Sequence, residues 1–181
     1  RLEAVPGVLG IHVEGPFIDL ARKGAHDERY IREISAEDVD MIAAAGCGKV
    51  LITVAPNRVD PQVIARLSSL GVIVSLGHSD SDFETAVEAI AAGARSFTHL
   101  FNAMSQIQGR EPGMVGAALT NPDAYVGIIA DGFHVHPVAL RLALSAKRWD
   151  RFVLVTDAMS SAAGGPNEFE LQGRKVRLKD G

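Results

Sequence analysis

Four apolar runs in this chain each lead into a residue that can bind a metal ion or transfer a proton, and this pattern constrains the fold most. The four residues are Glu14, His78, His99 and Asp157, and helix-like segments lie between the runs. Parallel strands of a (β/α) barrel deliver functional side chains to one face of the barrel. The pattern therefore predicts a barrel with a metal site at the carboxyl ends of its strands.

Six short runs rich in Val and Ile are predicted as strands, because nearly continuous apolar character is typical of strands buried on both faces. They cover approximately residues 8–13, 49–55, 72–77, 95–99, 125–130 and 152–156. Helix starts between them are predicted at Ser35, at Asp60-Pro61, at a capping box from Ser81 to Glu84, and at Pro137. The alternation predicts a parallel α/β sheet. A doubly wound sheet fits it equally well, but polar residues at the ends of many strands favour the barrel.

The predicted strands number fewer than the eight of a complete (β/α)8 barrel. We therefore expect a fragment that covers about six strands, with residues 1–165 as the central part of a catalytic barrel. From Phe169 onward apolar and polar residues alternate, which predicts an exposed hairpin. Residues 166–181 are predicted as the start of a β-hairpin outside the barrel strands.

The composition excludes several classes of function. The chain has 181 residues, of which 47% are apolar and 22% charged, as in an ordinary globular domain. Its net charge of -4 provides no basic surface for nucleic acid, and its apolar runs are shorter than the ~18 residues that a membrane span needs. The single Cys47 fits a reducing compartment, so we expect a cytoplasmic protein.

Glu14, His78 and His99 form a plausible set of metal ligands, since catalytic zinc often uses two His and one Glu. Any one of them alone is more often a core His or part of a buried ion pair than a ligand, but their shared positions at strand ends favour the ligand interpretation. His12 points to the same face of the strand as Glu14. It is either a further metal ligand or a packed residue that supports a ligand. Asp157 is a candidate acid/base, with an N-cap as the alternative.

Residues 99–116 are too rich in polar residues and Gly for a packing helix, and we expect a loop over the site. Within this loop, Asn102 and Arg110 suit hydroxyl groups and an anion, and Arg binds phosphate in two-point geometry. The alternative for Arg110 is a surface ion pair with Glu111.

Two other segments are expected beside the site. In residues 131–137 His134 is the better candidate, while His136 introduces the following helix. The segment after Glu14 is too long for a tight strand-to-helix turn, and we expect it to fold over the site together with His26.

Six motifs of this chain together resemble the N-acetylglucosamine-6-phosphate deacetylase family of the amidohydrolase superfamily. The resemblance extends from about residue 8 to residue 160. The motifs are His12–Phe17, Gly77–Ser79, Thr98–Met104, Gly109–Gly113, Asp131–His134 and Val155–Ala158. Each motif alone is weak, whereas their shared order is specific.

The resemblance implies an enzyme that removes the acetyl group from N-acetyl-D-glucosamine 6-phosphate to give D-glucosamine 6-phosphate and acetate. It implies Glu14, His78 and His99 as metal ligands and Asp157 as the catalytic acid/base. The implied cofactor is a divalent cation, zinc above all, with one or two per subunit. The family is usually homodimeric. The number of metals stays open, because the family's first barrel strand can carry ligands for a second one.

The resemblance also implies substrate contacts, with Arg110 and His134 toward the phosphate or acetyl end. The implied positions are Ala25, His26, Asn102, Ala103, Arg110, Asp131, Gly132, Phe133 and His134. Two alternatives remain: another amidohydrolase-superfamily hydrolase or deaminase, and a non-catalytic barrel that serves in binding or assembly. The presence of all three ligand residues and of Asp157 argues against a non-catalytic barrel.

Overall fold

The structure is a computed structural model that describes residues 6–46, 48–171 and 173–178. Cys47 and the predicted domain limits at residues 1 and 181 lie outside the described residues.

Six parallel strands form one sheet in which every strand pairs with the next one along the chain. This order has no reversal point of the kind that a doubly wound sheet requires, so it confirms the predicted barrel architecture. The register places Glu14 opposite Thr53 and Thr53 opposite Ser75. The strands are β1 (Gly10–Glu14), β2 (Lys49–Val54), β3 (Ile73–Leu76), β4 (Ser96–Phe97), β5 (Tyr125–Ile128) and β6 (Phe152–Leu154).

Helices follow the first five strands and cover one face of the sheet with apolar side chains. They are α1 (Ala36–Ala43), α2 (Pro61–Ser69), α3 (Phe83–Ala91), α4 (Gly113–Thr120) and α5 (Pro137–Ala146). Short 3-10 helices cover Leu20–Arg22, Glu28–Tyr30, Trp149–Arg151 and Ala162–Gly164. Ile52 and Leu76 of the sheet and Ile64 and Leu67 of α2 are fully buried in one core.

Two sequence predictions about helices were wrong. Residues 99–116 are not a loop throughout, since α4 begins at Gly113. All but the last of its residues are buried, so it lacks the polar stripe by which amphipathic helices are recognised. The predicted capping residue of α3, Ser81, is buried instead. Asp82 caps that helix by accepting a hydrogen bond from the Thr85 N–H at 2.8 Å.

A separate antiparallel hairpin follows the sheet. It consists of β7 (Glu168–Leu171) and β8 (Arg174–Arg177), with Phe169 opposite Val176. Within the described residues, the helices are too short or too polar to cross a membrane.

Candidate metal centre

Three predicted ligands converge at the carboxyl ends of β1, β3 and β4. Glu14 is the last residue of β1, and its Oε1 lies 2.6 Å from Nε2 of His78 and 3.0 Å from Nε2 of His99. The two Nε2 atoms are 3.0 Å apart. Both histidines are buried, each 5% exposed, whereas the side chain of Glu14 is 26% exposed. One ligand atom from each residue thus lies within 4.8 Å of the other two.

The hydrogen bonding of this cluster fits a divalent cation. Nδ1 of His78 donates to the carbonyl oxygen of Arg22 at 2.7 Å, which leaves a lone pair on Nε2 of the neutral ring. That lone pair faces the carboxylate of Glu14 and the ring of His99. Electron-rich atoms this close repel unless a positive charge lies between them, and two imidazoles with one carboxylate are a common ligand set for zinc. Nδ1 of His99 is buried without a hydrogen-bond partner among the described residues.

Glu14 and His99 shift each other's pKa values in opposite directions. Burial by itself would raise the pKa of Glu14, but the adjacent rings of His26, His78 and His99 hold it well below its usual range. Burial by itself would lower the pKa of His99, whereas the adjacent Glu14 carboxylate raises it above the ordinary value. Glu14 is therefore held as the carboxylate, the form in which it can bind a cation.

The backbone is strained at three of the four predicted functional residues. His78, His99 and Asp157 have φ angles of 47°, 32° and 48°, in the left-handed region that residues other than Gly rarely adopt. Such conformations cost about 1–3 kcal/mol each and are concentrated at functional sites. Each of these residues lies two or three residues beyond the end of a strand, at the shared edge of the sheet.

A buried polar layer lies on the sheet beneath the cluster. Oγ1 of Thr98 lies 2.7 Å from Oγ1 of Thr53 and 2.8 Å from Oγ of Ser75. Oγ1 of Thr53 also lies 2.7 Å from Nε2 of His12. If Ser75 donates to Thr98, Thr98 to Thr53 and Thr53 to His12, every hydroxyl proton is used and Nε2 of His12 is an acceptor. His12 thus supports the layer and is separate from the three clustered ligands.

A cavity of about 620 Å³ opens above the three clustered candidate ligands. Asp157 lines it, as do five of the nine predicted substrate-contacting residues: Ala25, His26, Asn102, Ala103 and His134. The ring of His26 meets that of His78 edge-on, with centroids 4.9 Å apart. Phe169 and Leu171 of the hairpin also line the cavity, and sequence reasoning missed them. The hairpin was predicted as exposed, but in β7 only Glu168 and Glu170 are, while Phe169 and Leu171 are partly buried.

The other four predicted contacts lie outside the lining of this cavity. Arg110 is exposed, and within the described residues it forms no ion pair with Glu111. The Glu111 carboxylate instead accepts the backbone N–H groups of Phe83 and Gly113, at 2.8 and 2.9 Å. Phe133 is 89% exposed, and Gly132 is exposed beside it.

Asp131 shapes the loop that carries His134. Its Oδ1 accepts the N–H groups of Phe133 and His134 at 2.8 and 2.9 Å, and its Oδ2 lies 2.7 Å from Nδ1 of His134. Hydrogen bonds from the backbone and ring of His134 and the backbone of Phe133 lower the pKa of Asp131 to about 2. The prediction for His136 is confirmed, because its Nδ1 accepts the Val138 N–H at the start of α5.

A parallel barrel sheet with a Glu-His-His cluster at its carboxyl edge defines the class of metal-site (β/α) barrels. Within that class the chain is a relative of the N-acetylhexosamine-6-phosphate deacetylases, and the predicted resemblance is confirmed. It is 46% identical over 172 residues to N-acetylgalactosamine-6-phosphate deacetylase of Shewanella sp. (strain ANA-3), covering 95% of this chain and 44% of that protein. It is 41% identical over 181 residues to N-acetylglucosamine-6-phosphate deacetylase of Bos taurus, covering 95% and 44%.

Solved structures agree in fold. N-acetylglucosamine-6-phosphate deacetylase of Pasteurella multocida superimposes with a TM-score of 0.92 at 40% identity, covering 99% of this chain and 48% of that one. The Mycobacterium smegmatis enzyme, a mutant in complex with N-acetyl-D-glucosamine-6-phosphate, gives 0.88 at 33% identity, covering 95% and 46%. No protein-family model matches the chain. The chain spans about half the length of the curated relatives it matches.

Proposed function

We propose that this chain carries the metal site and the acid/base residue of an enzyme that deacetylates N-acetyl-D-glucosamine 6-phosphate. The products are D-glucosamine 6-phosphate and acetate. The observation that carries the proposal is the cavity in which Glu14, His78, His99 and Asp157 meet. The similarity to deacetylases over 95% of the chain supplies the substrate class.

Glu14, His78 and His99 would hold the cation. Two imidazole nitrogens and one carboxylate oxygen suit zinc, and we propose Zn²⁺ as the metal. When bound, such a cation lowers the pKa of a coordinated water and polarises a carbonyl group. The carbonyl oxygen of Arg22 holds the Nδ1 proton of His78 and so directs Nε2 toward the cation.

Asp157 would transfer protons in both halves of the reaction. As water attacks the acetyl carbonyl carbon, the carboxylate takes its proton. The protonated acid then gives a proton to the amide nitrogen as the C–N bond breaks, because an amine leaves poorly unless it is protonated. The position of Asp157 beside the three ligands in one cavity supports both roles.

The remaining lining residues would bind the sugar. His26, Asn102 and His134 supply polar groups, and Asp131 acts as a positioning residue that orients the ring of His134. We still propose that Arg110 binds the phosphate group. A contact with phosphate would require its exposed side chain to reach the rim of the cavity.

A second candidate substrate is N-acetyl-D-galactosamine 6-phosphate. The Shewanella relative named for that substrate is 46% identical to this chain, compared with 41% for the bovine glucosamine enzyme. The two sugars differ in the configuration of one hydroxyl group. A site that hydrogen-bonds such a hydroxyl can discriminate strongly between the two configurations.

Acetate release by the full-length protein tests the proposal. The Zn²⁺-loaded protein is given the two sugar phosphates in turn, and unphosphorylated N-acetylglucosamine as a control. We expect the glucosamine phosphate to have the highest kcat/KM. A higher value for the galactosamine phosphate would establish the second candidate. No acetate from any of the three would favour another hydrolase, a deaminase or a non-catalytic barrel. The homodimeric state and cytoplasmic location stay predictions.

A further inference from the structure

The segment between β1 and α1 is hydrogen-bonded to the loop after β3, at His78 and again at Asp80. The backbone N–H of Asp19 donates to the carbonyl oxygen of His78 at 2.9 Å. Three residues later, the carbonyl oxygen of Arg22 accepts the Nδ1 proton of His78. The guanidinium of Arg22 pairs with Asp80. Its Nε and Nη2 atoms both donate to Oδ1 of Asp80, at 2.9 and 2.7 Å. Arg22 thus holds the ring of His78 through its backbone and the loop beyond it through its side chain.

A second attachment fixes the start of the same segment. Oδ2 of Asp19 accepts a hydrogen bond from Nδ2 of Asn57 at 2.7 Å, and Oδ1 of Asn57 accepts one from the Ser79 hydroxyl at 2.6 Å. Oδ1 of Asp19 caps the short helix that contains Arg22 by accepting the Ala21 N–H at 3.1 Å. The segment is therefore held at its start by Asp19 and at its turn by Arg22.

The attached segment carries a wall of the cavity. Gly24, Ala25 and His26 line the cavity directly after the turn. A Cβ on Gly24 would lie 3.2 Å from Cε1 of His78, and the φ angle of 56° at Gly24 already favours glycine. The backbone thus approaches the ring as closely as glycine allows. Any shift of the segment moves the carbonyl partner of His78 and the ring of His26 together.

We propose that the Arg22–Asp80 pair is a positioning device that sets cation affinity at the three clustered ligands and orders the wall that contains His26. Its side chains are 38% and 48% exposed, and ion pairs this exposed contribute little to global stability. The pair therefore acts mainly on the position of one short segment and not on the stability of the whole fold. The cation part of the inference rests on geometry alone, whereas the substrate part rests on the proposed function.

The test measures three properties of the full-length protein. These are Zn²⁺ affinity by competition with a chromophoric chelator, KM for N-acetyl-D-glucosamine 6-phosphate, and Tm of the metal-free protein. Arg22→Ala and Asp80→Ala should each weaken Zn²⁺ binding by about threefold to fivefold, because an exposed ion pair is worth up to about 1 kcal/mol. KM should rise in both variants while the metal-free Tm stays near wild type. The double variant should be no worse than either single one, because both changes break the same contact.

Lys23→Ala is the matched control. Lys23 lies in the same segment and pairs with Glu28 at 2.7 Å, and this pair is local to the segment. Removal of this cation should leave Zn²⁺ affinity unchanged. Arg22→Lys should recover part of the affinity, since Lys restores the charge but loses the two-point contact.

Two results would overturn the inference. One is Zn²⁺ affinity in Arg22→Ala and Asp80→Ala equal to that of Lys23→Ala. The other is a loss of affinity accompanied by a large fall in the metal-free Tm, which would indicate general destabilisation. A wild-type protein that releases no acetate, but whose variants show the expected affinity pattern, would overturn the proposed function and leave the positioning role standing.

Discussion

Replacement of Thr98 by Val tests whether the buried polar layer holds the sheet together beneath the metal site. The hydroxyl of Thr98 is the centre of the layer, because it contacts both Thr53 and Ser75. All three residues are buried. Val has nearly the same shape as Thr, so this change deletes the hydroxyl without opening a cavity.

The expected cost follows from the groups that lose their partner. Ser75 is left with a buried hydroxyl whose partner is gone, and a buried unsatisfied polar group costs about 1–3 kcal/mol. Thr53 keeps His12 but loses one of its two contacts, which is worth about 0.5–1.5 kcal/mol. The free energy of unfolding should therefore fall by about 2–4 kcal/mol. Thr98→Ser is the matched control, because it keeps the hydroxyl and loses one methyl group, at a cost of about 0.5–1.5 kcal/mol.

Urea denaturation of the metal-free, full-length protein measures both variants without a contribution from metal binding. The predicted order of stability is wild type, then Thr98→Ser, then Thr98→Val. A Val variant as stable as the Ser variant would refute the reasoning, since it would show that the hydroxyl contributes no more than a methyl group.

Three further predictions concern catalysis by the full-length protein. Asp157→Asn should lower kcat by ~10²–10⁴-fold, toward the upper end, with bound metal near the wild-type amount; parallel loss of metal would make Asp157 a ligand first. Arg110→Ala should raise KM for the phosphorylated sugar far more than for N-acetylglucosamine, and equal effects would show that Arg110 does not read phosphate. Phe169→Ala should raise KM about tenfold through loss of apolar contact with substrate. Glu170→Ala, on the exposed face of the same strand, is its control, and equal KM values for the two variants would remove Phe169 from the site.

The sequence predicted the strands and the edge of the sheet at which their functional residues meet. Strands buried on both faces require continuous apolar runs, so a Glu, His or Asp at the end of such a run stands out. The same reasoning failed for α4, because a helix buried on all sides has no polar stripe to mark it. It also misplaced the cap of α3 by one residue, since Ser81 and Asp82 are both good capping residues.

The parts of the site that sequence did not predict depend on contacts between distant segments. The bond from His78 to the Arg22 carbonyl joins residues 56 positions apart and involves a backbone atom that every residue possesses. The contribution of Phe169 to the cavity depends on where a hairpin packs, which alternation alone does not specify. The exposure of Arg110 likewise reflects the path of a loop.

Anomalous diffraction at the zinc edge, from crystals of the Zn²⁺-loaded protein, tests the central claim most directly. The account predicts a peak about 2.0–2.2 Å from the Glu14 carboxylate and from Nε2 of His78 and His99. A peak elsewhere, or a cluster in which these three side chains hydrogen-bond to one another with no peak between them, would contradict it.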